Sequence, residues 1–115
     1  MAFRVVLSDE GDHDLELIFE HLVESYMTFG DPLPAAFERA RQRIAAIEAD
    51  MNALGLAPHQ GTLLNQIRAG LRHVTKNQTI FYFEADDADR TVRILAIFFG
   101  GQDHRRRMLI RLNRI

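Results

Sequence analysis

The chain has 115 residues, of which 47% are hydrophobic and 26% are charged, and its formal net charge is −2. This length and composition predict one globular domain over residues 1–115 and exclude an intrinsically disordered chain. The absence of cysteine excludes disulfide bonds, thiol catalysis and thiolate-bound zinc. Because no apolar run approaches the roughly 18 residues of a membrane span, and the first residues lack the pattern of a signal peptide, we expect a cytoplasmic protein with no membrane partner.

The chain begins with a predicted strand and a predicted helix. Residues 2–7 place apolar side chains at every second position, which indicates a short β-strand. A helix is expected over residues 9–28, because Ser8 or Asp9 can cap its N-terminus and acidic residues crowd its first turn, where the helix dipole favours them. Apolar residues then recur at helical spacing until Gly30 ends the helix.

A second helix follows directly. Asp31 and Pro32 signal its start, as a capping side chain followed by proline in the first turn, and it ends before Gly55. Its apolar residues recur at alternating spacings of four and three, as in the seam between two antiparallel helices: Leu33, Phe37, Ala40, Ile44, Ile47, Met51 and Leu54. Because only a short link separates the two helices, we expect an antiparallel helical hairpin.

The second half of the chain has the pattern of strands. We expect a loop over residues 59–66 and then three strands with polar turns at 76–78 and 86–89: residues 67–74, 79–84 and 91–99. The last strand is nearly all apolar, which predicts that both of its faces are covered inside the sheet. Gly100 and Gly101 end it, and apolar spacing within residues 102–115 predicts a short helix or tail. Helices followed by strands indicate an α+β fold, in which a helical hairpin packs on a small, mainly antiparallel sheet.

Few residues of the first half point to chemistry. Glu20, His21 and Glu24 could hold a metal ion, but the charged outer face of a helix explains them better. Ser8 and His13, with an acidic residue between them, can be drawn as a hydrolytic trio, but a helix cap is the simpler role for Ser8. The sequence has no phosphate-binding glycine loop, and we expect neither a metal nor a cofactor.

The basic residues of the second half are stronger candidates. Residues 1–60 carry 4 basic and 11 acidic residues, whereas residues 61–115 carry 10 basic and 5 acidic ones, and 13 of the 14 basic residues are Arg. The guanidinium group of Arg presents a planar fork suited to carboxylate or phosphate. This asymmetry predicts that the second half contacts something anionic, although a solvated charged surface explains the charge equally well.

These basic residues form two groups. One lies in or near the first strand of the predicted meander: Arg68, Arg72, His73 and Lys76. The other follows the last strand: His104, Arg105, Arg106 and Arg107. Because strand ends can meet in a small sheet, we expect one basic patch, with three roles open: a solvated surface, contact with phosphate or a partner, and acid–base cleavage of RNA. Arg72 and His73 point to opposite faces of their strand, and a partly buried Arg72 would need a carboxylate partner.

The order and spacing of these segments resemble the ParE-type toxins of the RelE/ParE superfamily, which are bacterial type II toxin–antitoxin proteins, also called plasmid stabilisation proteins. The resemblance extends along nearly the whole chain: residues 3–26, Pro58 and Gly61, residues 70–73 leading into 80–83, residues 92–98 and residues 101–103. The family often has His-Gly-x-Gln-Asp in the last segment, where this chain has Phe99 and Gly100 in place of the His-Gly pair.

The resemblance implies a toxin domain with this α+β fold and a small ParD-like antitoxin, whose C-terminal segment lies along the toxin. Two activities occur in the superfamily, since RelE-like members cleave mRNA, generally on the ribosome, and ParE-like members inhibit DNA gyrase. RelE-like nucleases place basic residues near the positions of Thr79 and Gln102 and an aromatic residue near Met108, and this chain lacks that trio. The long helical hairpin also favours a ParE-like toxin.

The expected function is therefore a toxin that inhibits DNA gyrase by binding it, without catalysis. The residues expected to contact gyrase or the antitoxin are Arg68, Arg72, Lys76, Arg105, Arg106 and Arg107. If the chain is instead a RelE-like ribonuclease, the catalytic candidates are His73, His104 and Arg105. A detoxified module that only binds the antitoxin is the third alternative, and a homodimer is also open.

Overall fold

The computed structural model describes residues 2–100 and 103–113 of the chain. Its elements follow in the order β1 (Arg4–Leu7), α1 (Asp9–Thr28), α2 (Leu33–Ala53), β2 (Thr62–Leu63), β3 (Leu71–Lys76), β4 (Thr79–Asp86), β5 (Thr91–Phe99) and α3 (His104–Leu112), with a 3₁₀ turn at Leu54–Leu56. The predicted α+β architecture is confirmed, with its helical hairpin, mainly antiparallel sheet and short C-terminal helix. No helix within the described ranges is both long and apolar enough to cross a membrane.

The five strands form one mixed sheet in the order β1–β5–β4–β3–β2. β1 runs parallel to β5, and the other neighbouring strands are antiparallel. β5 lies inside the sheet between β1 and β4, which accounts for its nearly continuous apolar sequence. β1 pairs only with the first part of β5, from Arg4 opposite Thr91 to Leu7 opposite Ile94. In the described part of the chain, no strand lies beside the rest of β5 on this side.

Helices cover both faces of the sheet. The hairpin of α1 and α2 packs on one face over the larger core, which includes Leu15, Ile18, Leu22, Ile47, Phe81, Phe83 and Ile97. The shorter helix α3 packs on the other face over a second core, which includes Leu71, Ile80, Tyr82, Phe98 and Met108. The sheet is therefore buried on both sides, and β4 and β5 contribute side chains to both cores.

A β-bulge in β5 decides which of its residues face each core. The pairing of β4 with β5 shifts between Tyr82, which lies opposite Ala96, and Phe83, which lies opposite Ile94. Leu95 is the additional residue, and it interrupts the alternation of side chains along the strand. Ile94 and Ile97 consequently both face the helical hairpin, although they are three residues apart.

The predicted helix boundaries are confirmed, but one predicted cap is wrong. Ser8 caps α1, since its Oγ accepts the Gly11 N–H at 3.0 Å. Asp31 does not cap α2, because Pro32 occupies the N-cap position and no side chain bonds the free N–H groups there. The Asp31 carboxylate instead forms an ion pair with Arg39, with Oδ2 and Nη1 2.6 Å apart.

The predicted apolar seam of α2 agrees with the structure only in the later turns of the helix. Leu33 and Phe37 are 54% and 47% exposed, whereas Ala36 and Ala40 are completely buried. At the start of α2 the buried face therefore runs through Ala36 rather than Phe37, which lies about 100° away around the helix. From Ala40 to Ile47 the seam lies inside the core, as predicted.

The segment before β3 differs from its prediction. β3 begins at Leu71 rather than at residue 67, because residues 64–70 form turns. In these turns the Asn65 Oδ1 accepts the Gly70 N–H at 2.8 Å, and the Leu64 carbonyl accepts the Ile67 N–H at 3.0 Å. Side-chain acceptors of this kind stabilise turns in place of an extended strand.

The predicted loop at residues 59–66 contains the short strand β2. Gly61 precedes β2 with a φ of +82°, and a Cβ on it would lie only 2.3 Å from the carbonyl oxygen of His73. Only glycine allows this approach, which brings Thr62 opposite His73 on β3. The pairing depends on β3 being present, so no local pattern in residues 59–66 predicts it.

We expect Ile47→Asp to lower the free energy of unfolding by several kcal/mol, because Ile47 is 2% exposed and the new carboxylate would be buried without a partner. Ala46→Asp places the same charge on the exposed side of α2 and should cost only about 0.5–1 kcal/mol through helix propensity. Urea unfolding followed by circular dichroism gives both values, and equal losses would mean that the buried face of α2 is misassigned.

Candidate functional site

Three of the predicted site residues meet on the sheet face that α3 covers. His73 on β3 and His104 and Arg105 at the start of α3 lie around Tyr82, and these four side chains are called the histidine cluster below. The Tyr82 hydroxyl and Nδ1 of His104 form a hydrogen bond of 2.8 Å. The ring centroid of His73 lies 5.4 Å from that of Tyr82 and 6.0 Å from that of His104.

Tyr82 was not singled out from the sequence, although the turn between β3 and β4 points to it. The turn at Asn77 and Gln78 sets Lys76 opposite Thr79, and this register places His73 opposite Tyr82. Side chains of directly opposite residues in an antiparallel pair lie on the same face and touch. The turn position would therefore have predicted this contact.

Burial and neighbouring charges shift two pKa values in the histidine cluster. The pKa of His73 is lowered from 6.5, first by burial and then by the positive charges of His104 and Arg105. The pKa of Tyr82 is raised by burial, against the opposite effect of Arg105. At neutral pH the His73 imidazole is therefore uncharged and able to accept a proton, and the Tyr82 hydroxyl stays protonated.

The helix α3 restricts access to the histidine cluster. Tyr82 is 1% exposed and shares the second core with Met108 on α3. His73 and His104 are half-buried, and Arg105 is exposed. An imidazole that accepts a proton beside a guanidinium that can hold phosphate is a pair suited to acid–base chemistry. The hydrogen bond to the buried Tyr82 also gives His104 a structural role.

The structure divides the basic residues that were expected to form a single patch between the two faces of the sheet. Side chains alternate along β3, so Arg72 and Lys76 lie on the hairpin face, on the opposite side of the sheet from the histidine cluster. The partner of Arg72 is a carbonyl rather than a carboxylate, since its Nη1 donates to the His59 oxygen at 2.7 Å. Arg68 forms an ion pair with Glu84, with Nε and Oε2 3.2 Å apart.

The three arginines at the start of α3 point in different directions, because successive helical residues are about 100° apart. Arg105 belongs to the histidine cluster, and the guanidinium carbon of Arg107 lies 4.8 Å from the ring centroid of Phe98. Within residues 2–100 and 103–113, no carboxylate lies at ion-pair distance from Arg105, Arg106 or Arg107. Their charges therefore remain available to an anionic partner.

A buried ion pair links α1 to α3 around the edge of β5. Asp14 on α1 is 3% exposed, and its Oδ2 accepts the Ile97 N–H at 2.9 Å. Arg111 on α3 donates from Nη1 and Nη2 to the two Asp14 oxygens, each at 2.8 Å. Arg111 also pairs with Glu10 through Nε at 2.8 Å and donates to the Leu95 carbonyl at 3.3 Å. The hydrogen bonds that Arg111 donates to Asp14 raise the pKa of Arg111 further, so its guanidinium stays charged.

Asp14 and Arg111 were not recognised as a pair in the sequence. From the sequence, Asp14 is one of the acidic residues that the helix dipole favours at the start of α1, and Arg111 belongs to the C-terminal helix or tail. One signal was present, since Asp14 stands four residues before Ile18 and eight before Leu22, on the apolar stripe of α1. A carboxylate on that stripe must be buried, and a buried carboxylate needs a cation or several N–H donors.

The described residues contain no cluster of three or more His, Asp or Glu side chains arranged to hold a metal ion. Glu20, His21 and Glu24 are exposed on α1.

No protein-family model matches the sequence, and no curated protein matches it either. Two solved structures share its fold. The toxin–antitoxin complex RelBE2 from Mycobacterium tuberculosis matches with a TM-score of 0.62 and 18% identity, over 86% of this chain and 99% of the other. The chromosomal ParDE TA system from P. aeruginosa matches with a TM-score of 0.64 and 18% identity, over 85% of this chain and 96% of the other. The chain therefore has the fold that these two structures share.

We expect Asp14→Ala to lower the free energy of unfolding by about 3–5 kcal/mol, because it removes the carboxylate that accepts two hydrogen bonds from the half-buried Arg111 and one from the Ile97 N–H. Glu10→Ala removes the exposed partner of the same Arg111 and should cost less than about 1 kcal/mol. Adding Arg111→Met to Asp14→Ala should restore part of the loss. Urea unfolding measures all three, and similar losses for Asp14→Ala and Glu10→Ala would contradict the structural role of Asp14.

We expect the melting temperature to depend on His73 below about pH 7. Above the unfolded pKa of 6.5, His73 is neutral in both states and contributes nothing; below it, the unfolded chain takes up a proton first, so the folded state loses stability as the pH falls. His73→Asn should therefore flatten the plot of melting temperature against pH between about pH 7 and 5. His13→Asn, at an exposed position, is the control and should follow the unmodified chain. Parallel curves for His73→Asn and the unmodified chain would contradict the shift.

Proposed function

We propose that this chain, which has the fold of the RelE/ParE superfamily, is the toxin of a bacterial type II toxin–antitoxin system. The supporting observation is the extent of the structural match, which takes in at least 85% of this chain and at least 96% of each matched chain. Both matched structures are described as toxin–antitoxin assemblies. The proposal treats residues 1–115 as one toxin domain, acting in the bacterial cytoplasm and neutralised by a small ParD-like antitoxin.

The toxin acts, in this proposal, by binding DNA gyrase rather than by catalysis. The helical hairpin is long, with 20 residues in α1 and 21 in α2, as the ParE resemblance leads us to expect. The exposed Arg105 and Arg106 supply positive charge without an intrachain ion pair among the described residues. Arg68 and Arg72 are engaged within the chain, so α3 is the better candidate for the surface that contacts the target.

A ribonuclease is the second candidate, and the histidine cluster favours it. The uncharged His73 could take a proton from a ribose 2′-hydroxyl, and His104 could return one to the leaving oxygen, with Arg105 on the phosphate. Against this function, Tyr82 is buried under α3, and the half-buried histidines offer little surface to an RNA strand. Gyrase binding needs no such access, and for this reason it is preferred.

We expect the purified chain to inhibit DNA supercoiling by gyrase and to leave mRNA uncleaved. Arg105→Ala with Arg106→Ala should raise the concentration needed for inhibition about tenfold, which corresponds to ~1.4 kcal/mol of binding. Arg41→Ala with Arg93→Ala is the matched control, since it removes two exposed positive charges elsewhere and should change inhibition less than about twofold.

If the chain cleaves mRNA, and a folded His104→Ala variant cleaves it about 10²–10⁴-fold more slowly, the ribonuclease replaces the gyrase inhibitor as the proposed function. Neither activity, together with a stable antitoxin complex, would identify the chain as a detoxified binding module. Circular dichroism must first show that each variant is folded.

A further inference from the structure

Three strand ends meet at one end of the sheet. β3 ends at Lys76, β4 begins at Thr79 opposite Lys76, and β5 ends at Phe99 opposite Thr79. The other end of the sheet carries the turn between β4 and β5, which has three aspartates within residues 86–89. Side chains that contact the end of β3 or the end of β5 therefore lie together, away from that acidic turn.

Five basic side chains surround the sheet end at Phe99. On the hairpin face, Lys76 ends β3, and the guanidinium carbon of Arg43 on α2 lies 5.4 Å from the ring centroid of Phe99. On the other face, the guanidinium carbon of Arg107 on α3 lies 4.8 Å from the ring centroid of Phe98. These cations and the two arginines that precede Arg107 on α3 are called the basic end below: Arg43, Lys76, Arg105, Arg106 and Arg107.

The chain does not neutralise the charge of the basic end. In the part of the chain that the structure describes, no carboxylate lies at ion-pair distance from any of the five cations. The nearby Asp50 accepts a hydrogen bond from Nδ2 of Asn77 at 2.9 Å, and Arg43 donates to the carbonyl of the same Asn77. Farther along the sheet, by contrast, Arg68 pairs with Glu84. The positive potential at the basic end therefore remains available to a partner.

A single small anion cannot meet all five cations of the basic end. Arg43 and Lys76 lie on the hairpin face, and the three arginines of α3 lie on the other side of the sheet and point about 100° apart around their helix. The partner must therefore present many negative charges along an extended surface. A nucleic acid backbone presents such a series of phosphates, and guanidinium groups bind phosphate in a planar, bidentate geometry.

The aromatic rings at the basic end favour a duplex over a single strand. Proteins that bind single strands stack the bases on aromatic side chains. Here Phe98 is 2% exposed, and the half-buried Phe99 has the Arg43 guanidinium over its ring. The rings are thus covered, and the cations outside them are suited to phosphate. A duplex keeps its bases stacked inside and offers its phosphates on the outside.

We propose that the basic end binds the backbone phosphates of duplex DNA, an inference that rests on the proposed function. Gyrase holds duplex DNA, so a toxin bound to gyrase at this surface touches the nucleic acid as well as the enzyme. Because phosphate contacts carry no sequence information, the contact adds affinity for any DNA that gyrase holds. Lys76 and Arg43, which lie outside α3, belong to the same contact as Arg105 and Arg106.

Fluorescence anisotropy with a short labelled DNA duplex tests the contact in the absence of gyrase. The logarithm of the binding constant should fall with the logarithm of the salt concentration with a slope between about −4 and −5, because each phosphate contact contributes about −0.9. Lys76→Gln and Arg106→Gln should each weaken binding and reduce the size of this slope by about 1, since each removes one phosphate contact. The matched control, Arg4→Gln with Arg93→Gln, removes two exposed positive charges away from the basic end and should leave the slope unchanged.

Binding to gyrase with and without a bound duplex separates this inference from the proposed function. The chain should bind the gyrase–DNA complex at least about tenfold more tightly than gyrase alone, which corresponds to ~1.4 kcal/mol, and Lys76→Gln should reduce the difference. If the chain binds gyrase equally with and without DNA, or does not bind the duplex, the DNA contact is overturned and the proposed inhibition of gyrase stands. If the unmodified chain does not inhibit gyrase, the proposed function fails, and the anisotropy measurement still decides whether the basic end binds DNA.

Two further outcomes would overturn the location or the partner. An equal loss of duplex binding in Arg4→Gln with Arg93→Gln would mean that binding follows net charge rather than the basic end. Tighter binding to a single-stranded RNA of the same length would replace DNA with RNA as the partner. Lys76 and Arg106 lie in different elements, so if circular dichroism shows that one variant is misfolded, the other still tests the surface.

Discussion

The arrangement of α1, β5 and α3 depends on the carboxylate of Asp14. It lies at the edge of β5 beyond the end of β1 and accepts the Ile97 N–H, which a longer β1 would otherwise bind. The same carboxylate holds the guanidinium of Arg111 through two hydrogen bonds. A carboxylate buried to this extent is tolerated only with partners of this kind, because its desolvation costs several kcal/mol. One side chain of α1 therefore joins the sheet to a helix on its opposite face.

This anchor decides what the rest of α3 can contact. Arg111 holds the C-terminal end of the helix at Asp14, and the hydrogen bond between His104 and Tyr82 holds its start. Between them Met108 is buried on the second core. With both ends held, Arg105 stays within the histidine cluster, and Arg107 borders a cleft between α1 and α3. The exposed arginines of α3 are thus held in fixed positions by contacts at both ends of one short helix.

The sequence by itself determined the features that arise from neighbouring residues. The cap at Ser8 with the periodicity behind it predicted α1, and the apolar run predicted β5, both at their observed bounds. Capping, helical spacing and apolar runs are local, so α1, β5 and the α+β class followed from them. Only the tertiary structure decided that Arg72 faces away from the histidine cluster and that Asp14 binds Arg111 across 97 residues of chain. Such contacts depend on strand register and on which face each helix covers. The sequence around Asp14 indicates an acidic helix start. The pairing of Asp14 with Arg111 depends on the folded sheet, which brings α1 and α3 together at the edge of β5.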